Sequence, residues 1–333
     1  MFERYSRQML FSPIGENGQE RLQNSSVFIV GMGALGTAVA NQLVRAGVGK
    51  VSFADRDYVE LSNLQRQMLF DEDDVAEALP KAVAAERKLK KLNRNVEING
   101  HVLDVTAENI QSLLDGVDLI IDGTDNFMTR FLLNDAAFMK RIPFIYGGVV
   151  ASRGMTAMFV PDETACLRCF IEQETSGETC DTAGVISPIV DIIASYEVTE
   201  ALKYLTGSEQ LRKTLLTIDV WRNRTFELKL DQVKQDCVTC QQKVYPALTT
   251  NDDSVTTLCG RDSVQIKGKQ NISLDDWAHR LAKVSKVKKT PFLLQAILPE
   301  GETLVLFPDG RTLVQGTDDI ARAKTLYARY IGL

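Results

Sequence analysis

Short apolar runs and longer, helically spaced stretches take turns along most of the chain. The runs at 27–30, 51–54, 96–102, 117–121, 143–150 and 154–160 read as strands, and apolar residues recur at helical spacing over 37–46, 82–92, 106–114 and 188–205. This alternation predicts an α/β fold, a Rossmann-like sheet with helices on both faces. A short helix from Glu16 follows the break Pro13-Ile14-Gly15, and the helix over 188–205 places Ile192, Ile193, Tyr196, Val198, Ala201, Leu202 and Leu205 on one face. Two antiparallel strands are expected within 215–230. The polar stretch 249–254 reads as a linker, which divides the chain into a large α/β domain at 1–248 and a small C-terminal α+β unit at 249–333. In that unit strands are expected at 264–266, 292–298, 303–307 and 312–314, the last three joined by Pro299-Glu300-Gly301 and Pro308-Asp309-Gly310 turns. Ser273 should cap a helix reaching Lys283, and Thr317 a last helix with Ile320, Ala323, Leu326, Tyr327 and Tyr330 on one face.

One junction in this pattern carries chemistry. Val27-Phe28-Ile29-Val30 runs directly into Gly31-Met32-Gly33-Ala34-Leu35-Gly36 and then a helix. Gly31 permits the tight turn, Gly33 lets backbone N–H groups approach a phosphate, and Gly36 lets helix and strand pack closely. The next strand ends at Asp55, ~20 residues past the glycines, which suits a carboxylate that bonds a ribose. Taken alone, this pattern fits a nicotinamide or flavin cofactor. The continuation Asp55-Arg56-Asp57-Tyr58-Val59-Glu60-Leu61-Ser62-Asn63-Leu64-Gln65-Arg66-Gln67 fits a nucleoside triphosphate better. Arg66 can fork onto phosphate oxygens, while Asn63 and Gln67 hold the geometry by amide hydrogen bonds. Lys81 sits just inside a helix start that Pro80 helps to set, where a compact cation meets phosphate or simply faces water. The run 117–121 delivers Asp122-Gly123-Thr124-Asp125-Asn126, where Asp125 can carry a magnesium ion or cap the following helix with Thr124.

Composition narrows the classes. The chain has 333 residues and a net charge of −6, which argues against general nucleic-acid binding. No apolar run approaches the ~20 residues of a membrane span and Met1-Phe2-Glu3-Arg4 starts no signal peptide, so a soluble cytoplasmic protein is expected. Six cysteines in such a chain point to metal or thiol chemistry rather than a disulfide framework. Cys166-Leu167-Arg168-Cys169 and Cys237-Val238-Thr239-Cys240 form two Cys-x-x-Cys pairs, the pattern of a closed, structural Zn2+ site that would staple the fold. Two independent redox pairs are the alternative. Cys259 reads as a small buried residue.

From residue 1 to about residue 245 the sequence resembles the MoeB/ThiF family of adenylyltransferases, relatives of ubiquitin-activating enzymes. The motifs that carry the resemblance are the glycine turn, 55–67, and Arg4-Tyr5-Ser6-Arg7-Gln8. It implies ATP and Mg2+ as cofactors, with Gly31, Gly33, Ala34, Gly36, Asp55, Asp57, Asn63, Arg66, Gln67, Lys81, Asp125, Asn126 and Arg130 around the nucleotide and Asn134 nearby. It also implies a homodimer in which Arg7 reaches the partner's triphosphate, and a catalytic set of Arg7, Arg66, Lys81 and Asp125. Family members place a mobile loop at 175–185, where Cys180 is either a candidate nucleophile or a spare cysteine. They also carry a glycine shortly before the lysine, where this chain has Ala76-Glu77-Ala78. The implied substrate is the C-terminal glycine carboxylate of a small ubiquitin-like sulfur-carrier protein of the MoaD or ThiS kind, received by the strands within 215–230. A relative adenylating a small carboxylate on tRNA and a nicotinamide oxidoreductase are the alternatives. The C-terminal unit shows no rhodanese loop and has no assigned role.

Overall fold

A computed structural model describes residues 3–171, 183–249, 255–258, 262–268 and 271–332. The larger sheet has eight strands in the order β3-β2-β1-β4-β5-β6-β7-β8. Their ranges are β1 Ser26–Val30, β2 Lys50–Asp55, β3 Glu97–Val102, β4 Leu119–Asp122, β5 Phe144–Val150, β6 Arg153–Phe159, β7 Thr214–Asp219 and β8 Arg224–Lys229. β3, β2, β1, β4 and β5 run parallel, and β6, β7 and β8 continue antiparallel. Strand order reverses between β1 and β4, and the carboxyl ends of strands at such a reversal open a crevice.

Alternate residues of the parallel strands feed two cores. Ile29, Phe53, Ile121 and Ile145 pack under the helices Ala34–Ala46, Lys81–Leu92 and Ser187–Thr206. Phe28, Ala54, Ile120 and Phe144 pack against Phe127–Lys140 on the other face. Both faces are therefore covered, as all-parallel strands require. No helix among the described residues is long and apolar enough to cross a membrane.

The second sheet is antiparallel, in the order β11-β12-β13-β14-β10-β9. It comprises β9 Val255–Leu258, β10 Ser263–Lys267, β11 Lys286–Lys289, β12 Leu294–Ile297, β13 Thr303–Leu306 and β14 Arg311–Gln315. Leu304, Leu306 and Val314 point toward the helices Leu274–Leu281 and Ile320–Tyr330, while Val305, Phe307 and Leu313 point the other way, onto Tyr58 and Ala78. A run apolar at every position, Leu304 to Phe307, is what a strand buried on both faces needs.

Several expectations change. The helix expected over 106–114 shrinks to Ile110–Leu113, because Asn109 accepts from the Thr106 N–H at 2.9 Å and donates to the Asp104 carbonyl at 2.8 Å, an alternative to helical bonding. The last helix is capped by Asp319, which accepts from the Ala321 N–H, and Thr317 only supports it by accepting from the Asp319 N–H. Strand β11, Lys-Val-Lys-Lys, is hidden in the sequence by its charges, which suit a sheet edge. On Ser187–Thr206 the expected face is buried at Ile193, Val198, Ala201 and Leu205, but Tyr196 is exposed and Ile189, Ala194 and even Glu197 and Glu200 are buried as well. That helix touches Ala34–Ala46, Gly15–Gln23, β5 and β6 at once, so it buries more than one stripe. Most of the expected linker (250–254), Cys180 and Cys259 lie outside the described residues. Within Ala76-Glu77-Ala78, Ala78 adopts a left-handed backbone, φ 48°, which costs an L-residue ~1–2 kcal/mol.

Candidate active site

The crevice between β1 and β4 is bordered by three glycines, of which Gly31 and Gly36 admit no side chain. A Cβ on Gly31, whose φ is 89°, would lie 2.7 Å from the Gly123 carbonyl oxygen, and one on Gly36 would lie 1.9 Å from the Gly31 oxygen. Gly33 is different: a Cβ there meets nothing closer than 3.8 Å, so this glycine leaves an open approach. Gly33 is also the N-cap of Ala34–Ala46 and no side chain caps that end, which leaves the first N–H groups of Ala34 and its neighbours for an anion.

Asp55 is tied to the same turn. Its carboxylate accepts from the Met32 N–H at 2.6 Å and the Asp57 N–H at 2.7 Å. Burial raises its pKa, while the Lys81 charge and those two bonds work against the rise. Lys81 is almost wholly buried, its backbone N–H donates to the Asp57 carbonyl at 2.9 Å, and its Nζ lies 3.3 Å from Asp57 Oδ2. A surface lysine is thereby excluded. Asn63 accepts from the Glu60 N–H at 3.1 Å in a reciprocal cap, Arg66 donates back to the Ser62 carbonyl at 3.0 Å, and the buried Gln67 Oε1 has no partner among the described residues.

At the other rim, Asn126 caps Phe127–Lys140 by accepting from the Thr129 N–H, and Thr124 Oγ1 donates to Asp122. The cap is therefore Asn126 and not Asp125, which is exposed beside it. Arg130 is buried and bound to Asp122 at 3.0 Å, the Thr124 carbonyl at 2.9 Å and the Gly147 carbonyl at 3.0 Å. It braces the floor between β4 and β5. Asn134 lies elsewhere: its Oδ1 accepts from the Leu167 N–H at 2.9 Å, within the first cysteine pair.

The four paired cysteines converge. Cys166 and Cys237 Sγ are 3.5 Å apart, as are Cys169 and Cys240, and all four sulfurs lie within 4.8 Å of one another, buried and without disulfides. With Zn–S bonds of about 2.3 Å, a tetrahedral ion separates its sulfurs by about 3.8 Å, so the thiol set fits zinc. Buried Asp135 organises both knuckles, accepting from Arg168 at 2.8 and 2.9 Å, from Thr239 at 2.8 Å and from the Ala247 N–H at 2.9 Å. Two unrelated redox pairs do not account for this single cluster.

Arg7 is exposed on the turn Ser6–Met9. The neighbouring Gln8 donates to the Ala46 carbonyl at 2.9 Å, and Tyr5 packs on Gly47, which puts this segment at the C-terminal end of Ala34–Ala46. Thirteen residues of helix, about 20 Å, separate that end from the glycine turn.

Glu197 is a feature that helical periodicity did not disclose. Its carboxyl is fully buried against Gly147, where a Cβ would come within 2.4 Å of Oε1, and neither oxygen has a partner among the described residues. Burial, aided by Asp122, pushes its pKa well above 4.5 and so favours the neutral carboxyl. A raised folded-state pKa stabilises fully below about 4.5 and loses that contribution as pH rises toward the folded value. Glu197→Gln is accordingly expected to flatten the fall of stability with pH and to raise Tm at pH 8 by at least about 2 °C, the shift that ~1 kcal/mol brings in a domain of this size. Equal pH slopes for both proteins in thermal denaturation would contradict a neutral Glu197.

A glycine turn at a strand-order reversal, a carboxylate at the end of the second strand and a buried lysine beside it are the pattern of nucleotide-binding α/β proteins. The chain belongs to the ThiF family, whose profile matches residues 5–239. Over its whole length it is 47% identical, across 338 residues, to the Sulfur carrier protein ThiS adenylyltransferase of Bacillus subtilis (strain 168), covering 100% of both chains. It is 36% identical over 250 residues to the Adenylyltransferase and sulfurtransferase MOCS3 of Culex quinquefasciatus, an alignment spanning 74% of this chain and 56% of that protein. Among solved structures, E. coli MccB with ATP superposes with a TM-score of 0.63 at 22% identity, covering 72% of this chain and 74% of that one, a likeness of fold.

Proposed function

We propose that the protein adenylates the C-terminal glycine carboxylate of a small ubiquitin-like sulfur carrier, of the ThiS or MoaD kind, using Mg-ATP. A carboxylate oxygen of the carrier attacks the α-phosphorus, the bond from that phosphorus to the bridging oxygen breaks, and pyrophosphate leaves. No proton needs to move, so catalysis is positioning and charge neutralisation. The observation that carries this reading is the Asp57–Lys81 pair at 3.3 Å beside a glycine turn whose helix end is uncapped. The end-to-end match to a ThiS adenylyltransferase supports a ThiS-type carrier over a tRNA substrate.

In this reading the N–H groups after Gly33 and the side chains of Arg66 and Lys81 bind phosphates, Asp55 bonds the ribose, and Asn63, Gln67 and Arg130 keep the walls in place. Asp125 holds Mg2+, which when bound neutralises phosphate charge. Zn2+ in the four-cysteine cluster is structural, since four thiolates leave no open position. The chain works as a homodimer: Arg7, anchored at the far end of its own helix, serves the site of the second copy. Residues 1–248 form the adenylating domain and 249–333 a separate C-terminal domain.

The test is ATP–pyrophosphate exchange with purified ThiS- and MoaD-type carriers, each compared with a version lacking the terminal glycine. Exchange is expected only with an intact carrier, and exchange indifferent to both carriers would defeat the proposal. Mixing inactive Arg7→Ala with inactive Asp125→Ala protein should restore up to about a quarter of the sites, because one site of each mixed dimer is intact. A mixture as inactive as its parents, after proven subunit exchange, would remove Arg7 from the neighbouring site.

A further inference from the structure

The segments that carry Asp57 and Lys81 are zipped together. The Val59 N–H donates to the Leu79 carbonyl at 2.8 Å and the Lys81 N–H to the Asp57 carbonyl at 2.9 Å, which sets Lys81 Nζ against Asp57. On the side away from the crevice this zipper rests on the C-terminal sheet. Tyr58 and Ala78 are buried against Val305, Phe307 and Leu313, so the left-handed Ala78 is pinned by apolar packing rather than relieved by glycine. Polar contacts frame the seam. Tyr58 OH donates to Gln315 Oε1 at 2.9 Å, Gln315 Nε2 to Glu60 Oε1 at 3.2 Å, and the buried Arg311 to the Arg56 carbonyl at 3.0 Å. Every one of these bonds ends on a residue between Arg56 and Glu60, the loop that leads from Asp55 to Asn63.

We propose that the C-terminal sheet is a positioning element of the nucleotide site, with Gln315 and Arg311 holding the loop after Asp55, and the apolar face holding Ala78, so that Lys81 and Asp57 are set for the triphosphate before it arrives. The proposal rests on the nucleotide reading of that site and adds a role for a region outside the ThiF match, which ends at residue 239. Gln315 and Tyr58 act through Asp57 and Lys81 and touch no substrate themselves. Binding to a pre-set site avoids the cost of ordering it, so loosening the seam shows first in nucleotide affinity.

The experiment is calorimetric titration of the full-length protein with Mg-ATP for wild type, Gln315→Ala, Tyr58→Phe and the double variant. Each single change is expected to weaken binding about fivefold or more, and the double variant by less than the product of the two, since both remove the Tyr58–Gln315 bond. The KM for the carrier should stay unchanged. Tyr58→Phe keeps the buried ring and removes one oxygen, so it retains the fold and keeps the comparison interpretable. Affinities within twofold of wild type for both single variants, or purely multiplicative effects in the double variant, would overturn the proposal. A wild type that binds Mg-ATP yet exchanges no pyrophosphate with any carrier would defeat the functional reading instead, while the affinities still decide the role of the sheet.

Discussion

Lys81→Ala is expected to lower carrier-dependent ATP–pyrophosphate exchange ~100-fold or more, the usual loss when one preorganised charge donor leaves an active site. The lysine is nearly inaccessible, its Nζ held 3.3 Å from Asp57 at the edge of the crevice. Burying an ammonium is costly unless a partner or a ligand uses it, and here the ammonium lies 3.3 Å from Asp57 and within electrostatic reach of the buried Asp55. An incoming triphosphate would offer more negative charge at the same place. The variant should stay folded, because Asp57 retains enough exposure to be hydrated after its partner is gone. Exchange near the wild-type rate, with circular dichroism unchanged, would take Lys81 out of the catalytic set. Arg66→Ala provides the companion measurement, since among the described residues the one hydrogen bond of that side chain is local, to the Ser62 carbonyl.

Replacing any one of Cys166, Cys169, Cys237 or Cys240 by serine is expected to cost the bound zinc and a large part of the stability. Structural zinc sites of four thiolates contribute on the order of 10 kcal/mol to folding. Here the ion would also close a long loop between the two knuckles. One zinc per wild-type chain by metal analysis, and strongly reduced metal and Tm in each variant, are the expected outcomes. Cys180→Ser should leave both unchanged, because that cysteine belongs to neither pair. A metal-free wild type of full stability would refute the assignment. Asp135 gives the test a second handle: Asp135→Asn keeps all four thiols but weakens the charged bonds to Arg168 and the fixing of Thr239, and so should weaken the metal without abolishing it.

What could be read in the sequence was whatever a short local pattern encodes. The turn from Val30 to Gly36, the carboxylate at the end of β2, the lysine after Pro80 and the Cys-x-x-Cys spacings all place their chemistry through neighbours a few residues away. The same holds for Ser273, whose side chain caps its helix by accepting from the Asp276 N–H. What escaped depends on partners far along the chain. Asn134 has the composition of a site residue, yet Leu167, which it binds, is 33 positions away. Glu197 sits in a helical pattern that cannot announce a buried acid, because the space that admits it exists only where Gly147 lacks a side chain. Thr106 and Asn109 misled through local bonding, a competition between side chain and backbone that periodicity does not weigh. The docking of the second sheet on Tyr58 and Ala78 was hidden for the same reason as Asn134: Gln315 lies 257 residues beyond Tyr58.

That separation matters during synthesis. Chains leave the ribosome amino end first at about 5–20 residues per second, and domains fold as units as they emerge. Once residue 249 has been added, the strands of the larger sheet are complete, but β13 and β14 still have to be made, a wait of several seconds at that rate. Throughout that interval Tyr58 and Ala78 have no cover, and the nascent protein presents them to whatever else is in solution. The loop after Asp55, translated within the first quarter of the chain, therefore gains its last contacts only when β14 has been made.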